Sequence, residues 1–406
     1  MSRSLLHGAF ILFALLVRPT RAEEWLDRVG DHLTFSASEA QWRMKLGGLL
    51  TMEYFRWDGA PQGLIFSSGQ DLWSPRVTFF ADIQAGPAWY AFAQSRIDRG
   101  FDPSENGAVM RLDEYAVRWT PSKEGQISLQ AGRFATVAGN WVGRHLAWDN
   151  PFINAPLAYE LLTPVYDNAS PDLGPGLPGI IPEERYEYNP LIWGPSYATG
   201  AAISGQIGQL DYALEIKNAG LSSRPESWGI EHVGFEHPTW TGRIGWRPSP
   251  AWNVGFSASD GPYLLEHASE HLPRGTDIGD YHQTVLAHDV AYAWHRWQIW
   301  AEVFAARFDV PGVGHADTLA YYLEAKYKLA PQAFVAVRWN QQFYDEVPTA
   351  SGGLARWSDD TNRLDAAITF RISAHSQWKI QYGLQIQNGR GDETGHLIAT
   401  QFTVRF

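Results

Sequence analysis

The chain has no cysteine in 406 residues. That excludes a disulfide scaffold, a thiolate metal centre, a cysteine nucleophile and a haem attached through cysteine. It suits passage through an oxidising compartment, where stray thiols mispair. Long apolar runs are also missing: beyond Val17 nothing approaches the roughly 20 apolar residues of a membrane-spanning helix. Positive charge is scarce as well. Lys and Arg number 32 against 44 Asp and Glu, a net charge of -12, which argues against a nucleic-acid partner. No cofactor motif or complete metal-ligand pattern stands out. Asp167-Asn168-Ala169-Ser170 followed by Asp172 has a calcium-like flavour but lacks the full loop pattern.

What is plentiful is glycine (38), tryptophan (19) and tyrosine (17). Aromatics without long apolar runs are what a membrane β-barrel needs, because only alternate residues of each strand meet lipid. The N-terminus fits export. Arg3 and His7 accompany an apolar stretch from Leu5 to Val17, and Thr20-Arg21-Ala22 supplies small residues at -3 and -1. A signal peptide is expected over 1–22, a periplasmic segment over 23–40 and the barrel over 41–406.

Period-two alternation dominates the rest. Trp378, Ile380, Tyr382, Leu384 and Ile386 alternate with Lys379, Gln381, Gly383, Gln385 and Gln387. Trp240, Gly242, Ile244 and Trp246 alternate with Thr241, Arg243, Gly245 and Arg247. A helix would space its apolar residues three and four apart. The breaks alternate too: short turns such as Gly86-Pro87 and His295-Arg296, then longer polar stretches such as 59–70, 140–190 and 346–360. The fold class predicted is all-β, a transmembrane antiparallel barrel with short periplasmic turns and long outer loops. The breaks divide it into sixteen strands: 42–57, 73–84, 88–98, 110–120, 126–138, 192–205, 210–218, 239–247, 252–260, 282–294, 297–309, 318–329, 333–344, 361–373, 378–388 and 396–406. Leu33 to Ser36 could add a short extra strand, so eighteen is the alternative. Sixteen strands enclose an aqueous channel.

The chain ends on Ile398, Thr400, Phe402, Val404 and Phe406. This segment resembles the last strand of outer-membrane barrels, in which the terminal phenylalanine is read by the assembly machinery. Across the mature chain the pattern resembles the bacterial porin family. The strand count matches, and the longest loop, 140–190, follows the fifth strand, as does the loop that folds into the pore in porins. Gln130 to Ala138 resembles the strand entering that loop in phosphate-selective porins. The resemblance implies a homotrimer, a passive channel for small polar solutes, no cofactor and no reaction.

Strand parity assigns a lumen face. Lys326, Lys328, Arg338, Arg363, Arg371, Lys379 and Arg405 fall on it, as do Arg76, Arg96, Arg118, Arg243 and Arg247. An arginine or lysine facing lipid near the midplane would cost about 2–4 kcal/mol. Asp82, Asp98, Glu114, Glu302, Glu324 and Asp365 share the face, and the long loop adds Asp149, Glu160, Asp167, Asp172, Glu183 and Glu184. An acidic loop facing a basic wall is expected to set up a transverse field, although cross-strand pairing could occupy the same charges. Trp300, Tyr322 and Phe334 fall on the lumen parity, where they could form a slide for sugar rings. A slip of one residue, which would turn them outward, is the favoured alternative. Trp240, Trp246, Trp252, Trp294, Trp297 and Trp378 sit near strand ends on the apolar parity, as interfacial girdles do. His145 and Asp149, near Arg144, Trp148 and Asn150, read as loop-capping side chains.

Three other function classes compete, one of them a barrel sheath for an electron-carrying cytochrome, which would need a wider barrel. An outer-membrane barrel enzyme needs a serine or carboxylate constellation at the rim, and no convincing one is legible. A secreted all-β carbohydrate-binding protein would have shorter strands packed sheet on sheet.

Overall fold

The computed structural model describes residues 20–37, 41–59, 62–65, 67, 69–99, 108–167, 188–231, 233–349, 352–389 and 393–406, with backbone alone at 20–24. The first 19 residues of the expected signal peptide lie outside these. Helix α1 (Thr20–His32) runs across the expected cleavage point, and His375 contacts its Asp27 at 2.8 Å.

Nineteen strands follow among the described residues: β1 (Thr34–Ala37), β2 (Trp42–Trp57), β3 (Asp71–Ala85), β4 (Trp89–Asp98), β5 (Val109–Trp119), β6 (Ser128–Arg133), β7 (Thr199–Ile207), β8 (Leu210–Lys217), β9 (Thr239–Trp246), β10 (Trp252–Pro262), β11 (His282–Trp294), β12 (Trp297–Val310), β13 (Gly314–Ala330), β14 (Ala333–Tyr344), the small hairpin β15 (Glu346–Pro348) and β16 (Leu354–Arg356), then β17 (Asp360–Arg371), β18 (Ser376–Asn388) and β19 (Glu393–Arg405). Sixteen of them, β2–β14 and β17–β19, pair antiparallel in sequence order, and β19 returns to β2 to close the ring. Closure leaves no exposed sheet edge in hydrocarbon, which is the condition for crossing it with strands.

The seam between last and first strands is built around Gly48. Its backbone exchanges hydrogen bonds with Phe406 at 3.0 and 3.1 Å, and the Phe406 ring lies where a Cβ on Gly48 would stand. β1 is the short extra strand expected at Leu33 to Ser36. It pairs with Trp42–Lys45 of β2, on the edge that β19 leaves uncovered, and stays outside the ring.

Alternation works as expected. Along β13, Ala316, Thr318, Ala320, Tyr322 and Glu324 point inward and are buried, whereas Leu319 and Leu323 point outward and are 41% and 53% exposed. Trp89 and Trp119 stack at 6.0 Å beside the short turns, where Trp246, Trp252, Trp294 and Trp297 are also exposed, forming an aromatic ring at that end.

Four expectations need correction. Strands expected at 126–138 and 192–205 shrink to β6 and β7, because Phe134, Ala138, Leu191, Ile192 and Trp193 are buried in the barrel interior as parts of a loop. The connection after β12 is only 311–313, so the alternation of short turns and long loops fails there. Arg307–Asp317 (2.6 Å) and His315–Asp309 (2.5 Å) pair across the lengthened hairpin. The 346–360 loop contains the hairpin β15–β16. Trp300, Tyr322 and Phe334 keep the inward parity rather than the favoured outward slip: Tyr322 is 2% exposed and bonds Arg144.

Candidate functional site: the lumen and its inward loop

The described residues 134–167 and 188–198 leave the wall after β6 and lie inside the barrel. Apolar side chains seat them. Trp141, Val142, Ala158, Tyr159, Leu191 and Ile192 pack against Val285, Ala287, Phe304, Ala306, Ala320 and Tyr322, which are inward residues of β11–β13. The part of the inner wall that these residues cover is rich in apolar side chains. Burial of this interface is the main attraction holding the loop, at about 25 cal/mol per Å² of apolar area.

Polar anchors then fix its height. Helix α2 (Leu157–Glu160) presents Glu160 to Arg363 at 2.5 Å. Arg363 also meets Asp365 at 3.1 Å and donates to the Ala155 carbonyl. Arg338 bonds Asp365 at 3.0 Å and the Asn154 side chain at 2.7 Å. Arg144 of the loop reaches Glu324 at 2.6 Å, while Glu302 accepts from Tyr159 at 2.8 Å and from the Asn140 and Trp141 amides. Lys379 donates to the Ala147 and Asn150 carbonyls at 2.5 Å each. Nearly every charge here has its partner, as burial demands.

This changes the expected picture of an acidic loop facing a basic wall across water. Arg338 and Arg363 do face inward, but both are fully buried behind the loop, and Glu160 touches Arg363 directly. Asp167 is buried against Arg224 at 3.2 Å, and Asp149 is exposed. Asp172, Glu183 and Glu184 lie outside the described residues.

The open part of the lumen lies on the other side of the loop. A cavity of about 300 Å³ separates it from the wall of β2–β5 and is lined by Glu53, Arg76, Arg96, Asp98, Arg111 and Asp113, with Trp141, His145, Ile153 and Tyr197 across from them. Arg76 pairs with Glu53 at 2.5 Å, Arg96 with Asp113 at 2.8 Å, and Arg111 with Asp98 at 2.6 Å. Arg111 and Asp113 were missed by parity. A bulge between Gln94 and Ser95 on the β4–β5 ladder lets β5 turn both Asp113 and Glu114 inward. The signal available in the sequence was the cost of leaving Arg111 in lipid. Arg118 bonds Gln130 at 2.7 Å, and Arg243 and Arg247 share Asp211.

His145 packs within the loop, its Nδ1 at 2.5 Å from the Val142 carbonyl and its Nε2 at 2.6 Å from the Tyr197 hydroxyl. Burial pushes it down from 6.5 to about 4, and the nearby Arg96 and Arg76 push the same way. A depressed histidine stabilises the packed loop fully above about pH 6.5, and that stability is lost as pH falls toward 4. The wild-type barrel should therefore lose loop protection from protease between pH 7 and 4.5, by about 1–3 kcal/mol. His145→Gln should flatten that dependence. Equal profiles for the two proteins would rule out His145 as the group responsible. No cluster of metal-ligating side chains occurs among the described residues.

No family model matches the chain, and no curated protein matches its sequence. Solved structures do match. Salmonella typhi OmpF in complex with daunomycin aligns with a TM-score of 0.59 at 11% identity, over 92% of this chain and 100% of that one. An anion-selective porin from Comamonas acidovorans aligns at 0.57 and 9% identity, over 90% of this chain and 100% of that one. OmpT, an outer-membrane protein of Vibrio cholerae, aligns at 0.56 and 10% identity over 92% and 99%, and another of its structures is of a trimer form. The chain has the fold of the bacterial outer-membrane porins. At these identities the likeness speaks for the barrel and not for what passes through it. In this porin-fold barrel the inward loop follows the fifth strand of the ring, where the resemblance places it.

Proposed function

We propose that this chain is an outer-membrane channel through which small polar or charged solutes diffuse passively, sorted by size and charge. One observation carries this: a loop of the wall is folded inside a closed sixteen-strand ring, anchored on one side and leaving a charge-lined gap on the other. A narrowed lumen with paired charges on its wall is a sieve, since a solute must trade its hydration for those groups to pass. No chemistry is needed. The His–carboxylate pair at His282 and Asp260 has its second ring nitrogen taken up by the Gly279 carbonyl at 2.9 Å, and the Thr284 hydroxyl beside it donates to Asp260 rather than to the histidine.

The rest of the biology follows as part of the proposal. Residues 1–22 direct export and are removed, 23–40 stay in the periplasm, and Phe406 presents the assembly signal. The outward apolar face meets outer-membrane lipid. A homotrimer fits the shallow outward apolar groove at Ala81, Ala91, Ala93 and Ala131, which Ile83, Tyr115 and Val117 border. Liposome swelling tests the function. Proteoliposomes should swell in small sugars and amino acids and swell progressively less with larger oligosaccharides. Equal exclusion of all solutes would end the proposal.

A further inference from the structure

The paired charges of the gap contrast with the short-turn mouth of the same lumen. There, Lys326 and Lys328 near the end of β13, Arg371 at the end of β17 and Arg405 at the end of β19 all point inward, and none of them forms an ion pair among the described residues. Lys326, Arg371 and Arg405 lie against aromatic faces in an alternating ladder, and the Nε of Arg405 also donates to the Ala374 carbonyl at 2.9 Å. Lys326 lies 4.6 Å from the Phe334 ring, Arg371 lies 5.3 Å from Phe334 and 5.4 Å from Trp148, and Arg405 lies 4.3 Å from Trp148. A cation–π contact orients a guanidinium without cancelling its charge.

The local carboxylates do not neutralise them. Glu324 is occupied by Arg144 and Arg338. Asp149 is exposed beside Trp148 and acts on Lys326 and Arg405 only at longer range. On the other side of the same mouth, Arg243 and Arg247 are neutralised by Asp211 and Asp289. The Nε of Arg371 is buried with no hydrogen-bond partner. A fixed, unbalanced cluster that keeps donor capacity unused is built for something negative.

We infer that this ladder is an oxyanion-binding station at the periplasmic mouth, taking the carboxylate or phosphate group of a solute in transit. It deepens the channel proposal, resting on that reading for the word transit. Arg371 and Arg405 supply guanidinium donors, Lys326 and the exposed Lys328 supply point charge, and Trp148 contacts both arginines. The station lies below the gap, so a solute leaving the gap meets it next.

Equilibrium dialysis of the detergent-solubilised full chain with radiolabelled citrate, at low ionic strength, tests binding without needing conduction. Wild type should bind citrate, and inorganic phosphate and added salt should displace it. The double variant Arg371→Gln/Arg405→Gln should bind about tenfold more weakly. Failure of wild type to bind, or unchanged affinity in the double variant, overturns the inference. If the double variant does not fold, Lys328→Glu carries the test from an exposed position: weaker binding supports the station and unchanged binding overturns it. Citrate added on the periplasmic side in planar bilayers separates the two proposals. Citrate binding by a protein that never conducts would keep the station and remove the channel. Conduction that citrate neither blocks nor binds would keep the channel and remove the station.

Discussion

Replacing Arg363 with alanine should unfasten the inward loop. The guanidinium is fully buried and spans Glu160 on the loop and Asp365 on the wall. Its removal leaves two carboxylates in the interior with one cation, Arg338, between them. Breaking a buried pair by deleting one partner costs about 3–5 kcal/mol, far more than the pair contributes when intact. Glu160 would then seek water, and α2 would lift from the wall with it. Three readouts should move together: the temperature of the heat-induced mobility shift falls, protease cuts the loop, and larger sugars enter proteoliposomes. Arg76→Ala is the contrast. Arg76 is partly exposed at the gap, and the buried Glu53 keeps a bond from Gln401 at 2.7 Å, so stability should fall by less than for Arg363→Ala while ion preference shifts. If Arg363→Ala left all three readouts at wild-type values, the loop would owe its position to apolar packing alone.

Leu323→Arg probes the wall from the other side. Leu323 is 53% exposed on the outward face of β13, next in sequence to the fully buried, inward Glu324. An arginine there must sit in hydrocarbon, at about 2–4 kcal/mol near the midplane. Assembly should fall sharply, measured as the fraction of folded, heat-shifted protein recovered in the outer membrane. Leu323→Val should assemble normally. Equal recovery of arginine and valine variants would mean that Leu323 faces water.

The wall was legible in the sequence because lipid and lumen are different solvents, and each strand records both at a period of two. The bounds of β2 match those read from the sequence, 42–57, although its polarity pattern breaks at Leu49-Leu50. The interior was less legible, because packing inside a barrel erases the contrast. Val285, Phe304 and Phe308 share a parity with Asp289 and Glu302, so β11 and β12 are apolar on both faces, the mark of a strand covered on both sides. The same loss of contrast made 134–138 and 192–198 look like strand. Arg338 and Arg363 were correctly placed inward, but whether an inward charge meets water or a loop depends on contacts some two hundred residues apart in sequence, as between Glu160 and Arg363. Asp113 and Arg111 needed the bulge, for which the charge of Arg111 on the lipid parity was the one local sign.

Single-channel recording of the purified barrel in a planar bilayer bears most directly on the idea that water threads the wall past the loop. Uniform, long-lived current steps, linear in voltage and enlarged by Arg363→Ala, are the predicted outcome. Folded, membrane-inserted protein that passes no current would contradict it.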